Sequence, residues 1–252
     1  MTHARFKRRT VLAGLGAGAI GITAGASALA TRGPPPYSKY TYAATQEDRE
    51  ALRVAWYETY NGQRMETQGN NATANVSETL DPDTQPLYVA DAPGPVIEIG
   101  NVLPGDSGTL HIGLEAVAPD PVTVTMTGSL DANDENGLTE PETAAGDVST
   151  VGELASTIEA TLWADRGLRL LGDLGACDGV QGTGEPTIAT GSLEAVLGEI
   201  STGIELVACL GRDARTYCLG FHWRLPNGTS NMVQTDGATF TLSFVPSLCE
   251  EV

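Results

Sequence analysis

Apolar and polar residues alternate with a period of two in seven separate stretches of this chain: 52–57, 96–99, 109–117, 122–127, 158–164, 217–225 and 238–245. They are rich in β-branched and aromatic residues, and the pattern predicts strands with one buried face. Asp-Pro, Pro-Gly, Gly-Asp and Asn-Gly pairs separate them, each a turn former for stereochemical reasons. Two segments break the alternation. Residues 148–156 have a helical pattern, and so do residues 192–200 (SLEAVLGEI), where Ser192 stands at the cap position and Glu194 in the first turn. Together these predict a mainly β fold, a two-sheet antiparallel sandwich of jelly-roll type with one or two short inserted helices. No internal repeat divides the chain, which leaves one sandwich domain over residues 46–252.

The N-terminus belongs to a different category. Arg5, Lys7, Arg8 and Arg9 precede an uncharged run, 10–30, rich in Gly, Ala, Leu and Val. Ala28 and Ala30 offer the small side chains that a signal peptidase reads, and residues 33–36 (GPPP) forbid a continuing helix. Residues 1–30 therefore read as an export signal cleaved after Ala30. Arg8-Arg9-Thr10-Val11-Leu12 has the pattern of a twin-arginine signal, which exports proteins already folded. The alternatives are a general secretory signal or an uncleaved anchor, since about 20 apolar residues also span a bilayer. Each places the bulk of the chain outside the cytoplasm, secreted or at the cell surface, with the membrane touched only through this segment.

Charge narrows the environment. The formal net charge is −18, and removal of the signal takes it to −22, with Lys39 as the only lysine left. A strongly acidic, lysine-poor surface stays hydrated in concentrated salt, where screening acts within about 3 Å at 1 M, and it points to a halophile. Nucleic acid is excluded as a partner, because a polyanion needs a basic stripe and the chain has none. Cations are the natural counterparts.

No catalytic constellation is legible. The mature chain has only His111 and His222 as histidine bases, both inside alternating strands, and no HExxH helix. Cys177, Cys209, Cys218 and Cys249 lack CxxC spacing, so in an exported chain they predict two disulfides with three possible connectivities. The preferred expectation is Cys177 with Cys209 and Cys218 with Cys249. One stretch is oxygen-rich: Asp131, Asn133, Glu135 and Glu142, around Asn136-Gly137, form a candidate calcium loop, calcium being an ion that takes six to eight oxygens. The spacing departs from an EF-hand, the alternative is a solvated acidic loop, and no other cofactor is expected. Residues 173–186, richer in glycine than in acids, form a weaker candidate. Asn71, Asn75 and Asn227 head Asn-x-Ser/Thr sequons, which suit an exposed surface outside the cell.

Several segments resemble, in order, the haloarchaeal branch of the TasA and camelysin group. They are 56–62 (WYETYNG), 92–96 (APGPV), 102–108 (VLPGDSG), 133–142 (NDENGLTEPE), 152–154 (GEL), 161–163 (TLW), 184–186 (GEP), 218–226 (CLGFHWRLP) and 231–236 (NMVQTD). The resemblance implies an exported jelly-roll subunit that self-associates into matrix fibres or bundling pili, an N-terminal strand of one copy completing the sheet of the next. The chain departs from that pattern in having fewer acids around Asp178 and in ending Cys249-Glu-Glu-Val. The metalloprotease label attached to camelysin has no matching zinc motif here and is not carried over.

The segment after the signal fits the fibre expectation. Residues 31–45 form an extended, proline-opened stretch in which Tyr40, Tyr42 and Ala44 share one face of a strand, able to add to another subunit's sheet edge. A flexible stalk or the first strand of the chain's own sheet is the alternative. The expected function is a structural subunit of an extracellular fibre, pilus or matrix layer; the alternative is a monomeric secreted module that binds calcium or a surface glycan.

Overall fold

In the computed structural model the described residues are 37, 39–46, 50–65, 94–168, 174–212 and 214–249, with two-residue strands at Ala4–Arg5 and Leu87–Tyr88. The larger sheet contains β2 (Lys39–Ala44), β3 (Glu50–Tyr60), β4 (Gln63–Arg64), β5 (Leu87–Tyr88), β7 (Ser107–Ala116), β9 (Glu159–Ala164), β12 (Thr187–Ser192) and β14 (Thr216–Arg224). Its order is β12-β9-β14-β7-β3-β2-β5, with β4 on β3. The smaller sheet runs β1 (Ala4–Arg5), β6 (Val96–Gly100), β15 (Gly237–Leu248), β8 (Val122–Asp134), β13 (Ile204–Leu210). Pairing is antiparallel except for the two-residue strands β1 and β5, which lie parallel to β6 and β2. A separate hairpin joins β10 (Arg166–Leu168) to β11 (Leu174–Ala176). The described residues also form three short α-helices, α1 (Glu140–Ala145), α2 (Leu154–Thr157) and α3 (Leu193–Ile200), and a 3-10 turn at Asn231–Val233.

The chain thus folds into the two-sheet antiparallel sandwich that its alternation predicts. On β8, Val122, Val124 and Met126 are fully buried while the intervening threonines are half-buried, as one-sided burial requires. Opposite them lie Leu110, Ile112 and Leu114 of β7 and Leu219 and Phe221 of β14. Phe221 meets Phe240 of β15 across the sandwich with ring centroids 5.3 Å apart. Helix α3 buries Leu193, Val196, Leu197 and Ile200, spaced i, i+3, i+4, i+7, with Ser192 capping it by accepting from the Ala195 N–H.

The central strands of the larger sheet are buried on both faces. Its outer face carries a second cluster, Tyr37, Tyr40, Ala55 and Tyr57 with Tyr42 against them, and a buried Arg53–Glu115 ion pair at 2.8 Å. Strand β2 belongs to this sheet, so residues before 46 contribute to the sandwich. The expected helix over 148–156 is confined to Leu154–Thr157. Before it, Ser149 Oγ donates to the Val151 carbonyl and accepts the Val151 N–H, local bonds that compete with a helical turn.

Candidate functional site

The oxygen-rich stretch does not form one loop. Strand β8 continues through Asp134, which puts Asp131 and Asn133 in the sheet. Asp131 accepts from Ser129 Oγ at 2.7 Å and Thr241 Oγ1 at 2.5 Å. Asn133 donates to the Gly152 carbonyl and accepts from the Ala155 N–H. Glu142 is fully buried in α1 and saturated: one oxygen accepts the Thr139 N–H, the other the Thr235 N–H and hydroxyl. Burial alone would raise its carboxyl, but the bonds from Thr139 and Thr235 prevail and hold it down at about 2. Of the four expected ligands, only Glu135 has side-chain oxygens with no hydrogen-bond partner.

What Glu135 meets comes from elsewhere in the chain. Oxygens of Glu135, of Glu153 at the start of α2 and of Asp236 just before β15 all lie within 4.8 Å of one another, a grouping able to hold a metal ion. Asp236 is fixed through Oδ2, which accepts the N–H groups of Glu153 (2.6 Å) and Leu154 (3.1 Å). Its Oδ1 has no hydrogen-bond partner, nor does either oxygen of Glu135, nor Oε2 of Glu153, nor Oδ2 of the buried Asp147. Gly152 permits this convergence, because a Cβ there would stand 2.7 Å from the Asp134 carbonyl and 3.1 Å from the Asp236 carboxyl carbon. An open groove of about 500 Å³, lined in part by Glu98, Asn101, Asp134, Asn136 and Thr235, shares Asp236 with this grouping.

The electrostatics are those of carboxylates lacking a counter-charge. Burial and then Asp236, Asp147, Glu142 and Glu153 push Glu135 up to about 7. Every charged group acting on it is another carboxylate. Burial, with Glu153 and Glu142 nearby, pushes Asp236 up to about 6 against the two N–H bonds that favour its anion. Four unpartnered oxygens on Glu135, Glu153 and Asp236 are a hard donor set with no nitrogen or sulfur. Glu153 and Asp236 were hard to pick out among so many acids, although both lie in segments, 152–154 and 231–236, that carry the family resemblance.

The remaining candidates separate in the same way. All four cysteines are bonded, but as Cys177–Cys218 and Cys209–Cys249, correcting the expected pairing. Cys218 points outward from β14, where the loop holding Cys177 covers the larger sheet, whereas Cys209 ends β13 of the smaller sheet beside the C-terminal end of β15. Sheet membership, rather than proximity along the chain, chose the partners. Tyr40 and Tyr42 do share a face, but it is the outer one; Thr41 is buried between them, Ala43 enters the main core, and Ala44 is exposed. His111 stacks on Tyr57 at 4.3 Å between ring centroids, and burial lowers it to about 4. Asn227 is exposed in the turn after β14, while Asn71 and Asn75 lie outside the described residues.

Fold and site together define a disulfide-bonded β-sandwich with an acidic pocket able to hold a metal ion. No helix among the described residues is long and apolar enough to cross a membrane. No protein-family model matches the chain, and no curated protein is significantly similar to it.

Proposed function

We propose that the protein is an exported structural subunit of an extracellular fibre, pilus or matrix layer of a halophile, in which copies join by exchanging strand β2. The observation that carries this reading is the placement of β2. It is a six-residue strand near the margin of the larger sheet, with only the two-residue β5 beyond it among the described residues. A short link, 45–49, joins it antiparallel to β3. A neighbour's β3 offers β2 the same backbone pairs and core contacts that its own β3 does, so exchange of this strand sacrifices none of them. The signal-like N-terminus, the acidic composition and the resemblance to the TasA group support the same reading.

The only lysine of the mature chain marks the junction. Lys39 Nζ stands 2.6 Å from Glu58 Oε1 on β3, with Glu58 almost wholly buried. Breaking a buried pair from one side costs about 3–5 kcal/mol, because the other charge is left uncompensated. Lys39→Glu and Glu58→Lys should therefore each block assembly, and an equimolar mixture should restore it, since every junction of an alternating polymer again pairs opposite charges. Electron micrographs with filaments from wild type and from the mixture, and from neither variant alone, support exchange. Wild-type protein that stays monomeric at all concentrations, or a mixture as inert as its components, overturns it.

The acidic pocket favours a second reading, a secreted calcium-binding module. All its free donors are hard oxygens on carboxylates, which suit calcium over zinc or copper. Calorimetric titration with calcium chloride in concentrated salt tests it: heat that Glu135→Gln diminishes, from protein that never forms filaments, would favour this reading over the fibre.

A further inference from the structure

We infer a second hard-cation site, independent of the first, between Asp165 at the end of the β9 ladder and Glu185 in the glycine-rich loop that covers the outer face of the larger sheet. Both carboxylates are buried, with relative exposures of 3% and 8%. Glu185 is held rigidly, Oε1 accepting the Gly167 N–H and Oε2 the Gly182 N–H, each at 2.7 Å. Asp165 Oδ2 accepts the Gly179 N–H at 2.7 Å, but its Oδ1 has no hydrogen-bond partner. Burial, with Glu185 and Asp178 opposite, raises the Asp165 carboxyl far above the usual carboxylate range, against the Gly179 N–H.

Among the described residues, no neighbouring side chain is seen to supply the missing charge. Arg166, next in the chain, donates to the Tyr217 hydroxyl at 2.9 Å with its guanidinium carbon 5.1 Å from that ring's centroid. His111, whose ring lies against Gly179, is neutral at physiological pH because burial lowers it to about 4. Asp178 adds another negative charge and turns one oxygen to the Val180 N–H. An isolated buried carboxylate pair is costly unless a cation or a proton lies between its members. The backbone donors leave each carboxylate oxygen a second lone pair, which is free to bind an oxygen-seeking ion of the calcium class. Such an ion would pin the loop, and with it Cys177 of the Cys177–Cys218 bridge, onto the sheet.

The test is calcium stoichiometry on the oxidised protein in concentrated salt, for wild type, Asp165→Asn, Glu135→Gln and the double variant. Two equivalents are expected for wild type, one for each single variant and none for the double. Terbium luminescence sensitised by Trp163 should vanish in Asp165→Asn and persist in Glu135→Gln, and Glu185→Gln should repeat the loss if Asp165→Asn folds poorly. Wild-type stoichiometry unchanged by both Asp165→Asn and Glu185→Gln overturns this site and leaves the first one standing. Loss of calcium binding in Glu135→Gln alone, with the Asp165 variant altering only the pH profile of unfolding, shows a shared proton and equally overturns it.

Discussion

Replacing Glu135 by Gln should move stability in opposite directions with and without calcium. Ion-free, the oxygens of Glu135, Glu153 and Asp236 crowd within 4.8 Å. At that separation and an effective dielectric of about 20, two unit charges repel by about 3.5 kcal/mol. Concentrated salt and displacement of the surrounding groups reduce this, so removing one charge should recover about 1–3 kcal/mol in chelator. With calcium at about 100 times its dissociation constant, the wild type gains about 2.7 kcal/mol that the variant lacks, or roughly 5–10 °C in Tm for a domain of this size. Thermal unfolding followed by circular dichroism at pH 8 reads both effects, since Glu135 is pushed up to about 7 and is ionised there. The variant should melt above wild type in chelator and below it in calcium. A variant that gains as much from calcium as wild type refutes Glu135 as a ligand, and one less stable than wild type in chelator refutes the claim of uncompensated repulsion.

Three further outcomes test the fold around the site. His111 is lowered from 6.5 to about 4, so the unfolded chain takes up its proton first and stability is lost as pH falls from about 6.5 towards 4, by at most about 3 kcal/mol. Because buried carboxylates with raised values act with the opposite sign, the measurement is the urea midpoint of wild type against His111→Gln between pH 7 and 4.5, where the variant should lose less. Removing the Cys209–Cys249 bridge, which spans 40 residues, by a double serine replacement should cost about 4 kcal/mol, and non-reduced peptide mapping should recover Cys177 linked to Cys218. Gly220→Ala would place a Cβ 1.9 Å from the buried Trp163 ring and should cost about 3 kcal/mol, whereas Gly198→Ala, with nothing within 4 Å in helix α3, should stabilise by about 0.5–1 kcal/mol. Denaturant titration of the two alanine variants decides whether the ring is fixed as described.

Local periodicity carried the strands and the helix from Leu193, because burial of one sheet face or one helix stripe writes its period directly into neighbouring residues. Local composition marked hard-oxygen chemistry around Glu135. It could not say which acids meet there: Glu153 and Asp236 reach Glu135 only because β8, the start of α2 and β15 converge at one end of the smaller sheet, and no local pattern records which strands are neighbours. The same limit explains the cysteines, whose partners follow from the sheet each occupies, and Tyr40 and Tyr42, whose shared face is evident in sequence while its direction is not. Strand β2 is legible in sequence as an extended segment whose partner, its own sheet or a neighbour's, stays open, and it does not stand among the regular alternations for a related reason. It is covered on both faces, so Tyr40, Thr41 and Ala43 are all buried and the alternation that marks a half-exposed strand is absent. A period of two reveals that a strand has two faces; what lies against each face is decided by the order in which the strands assemble.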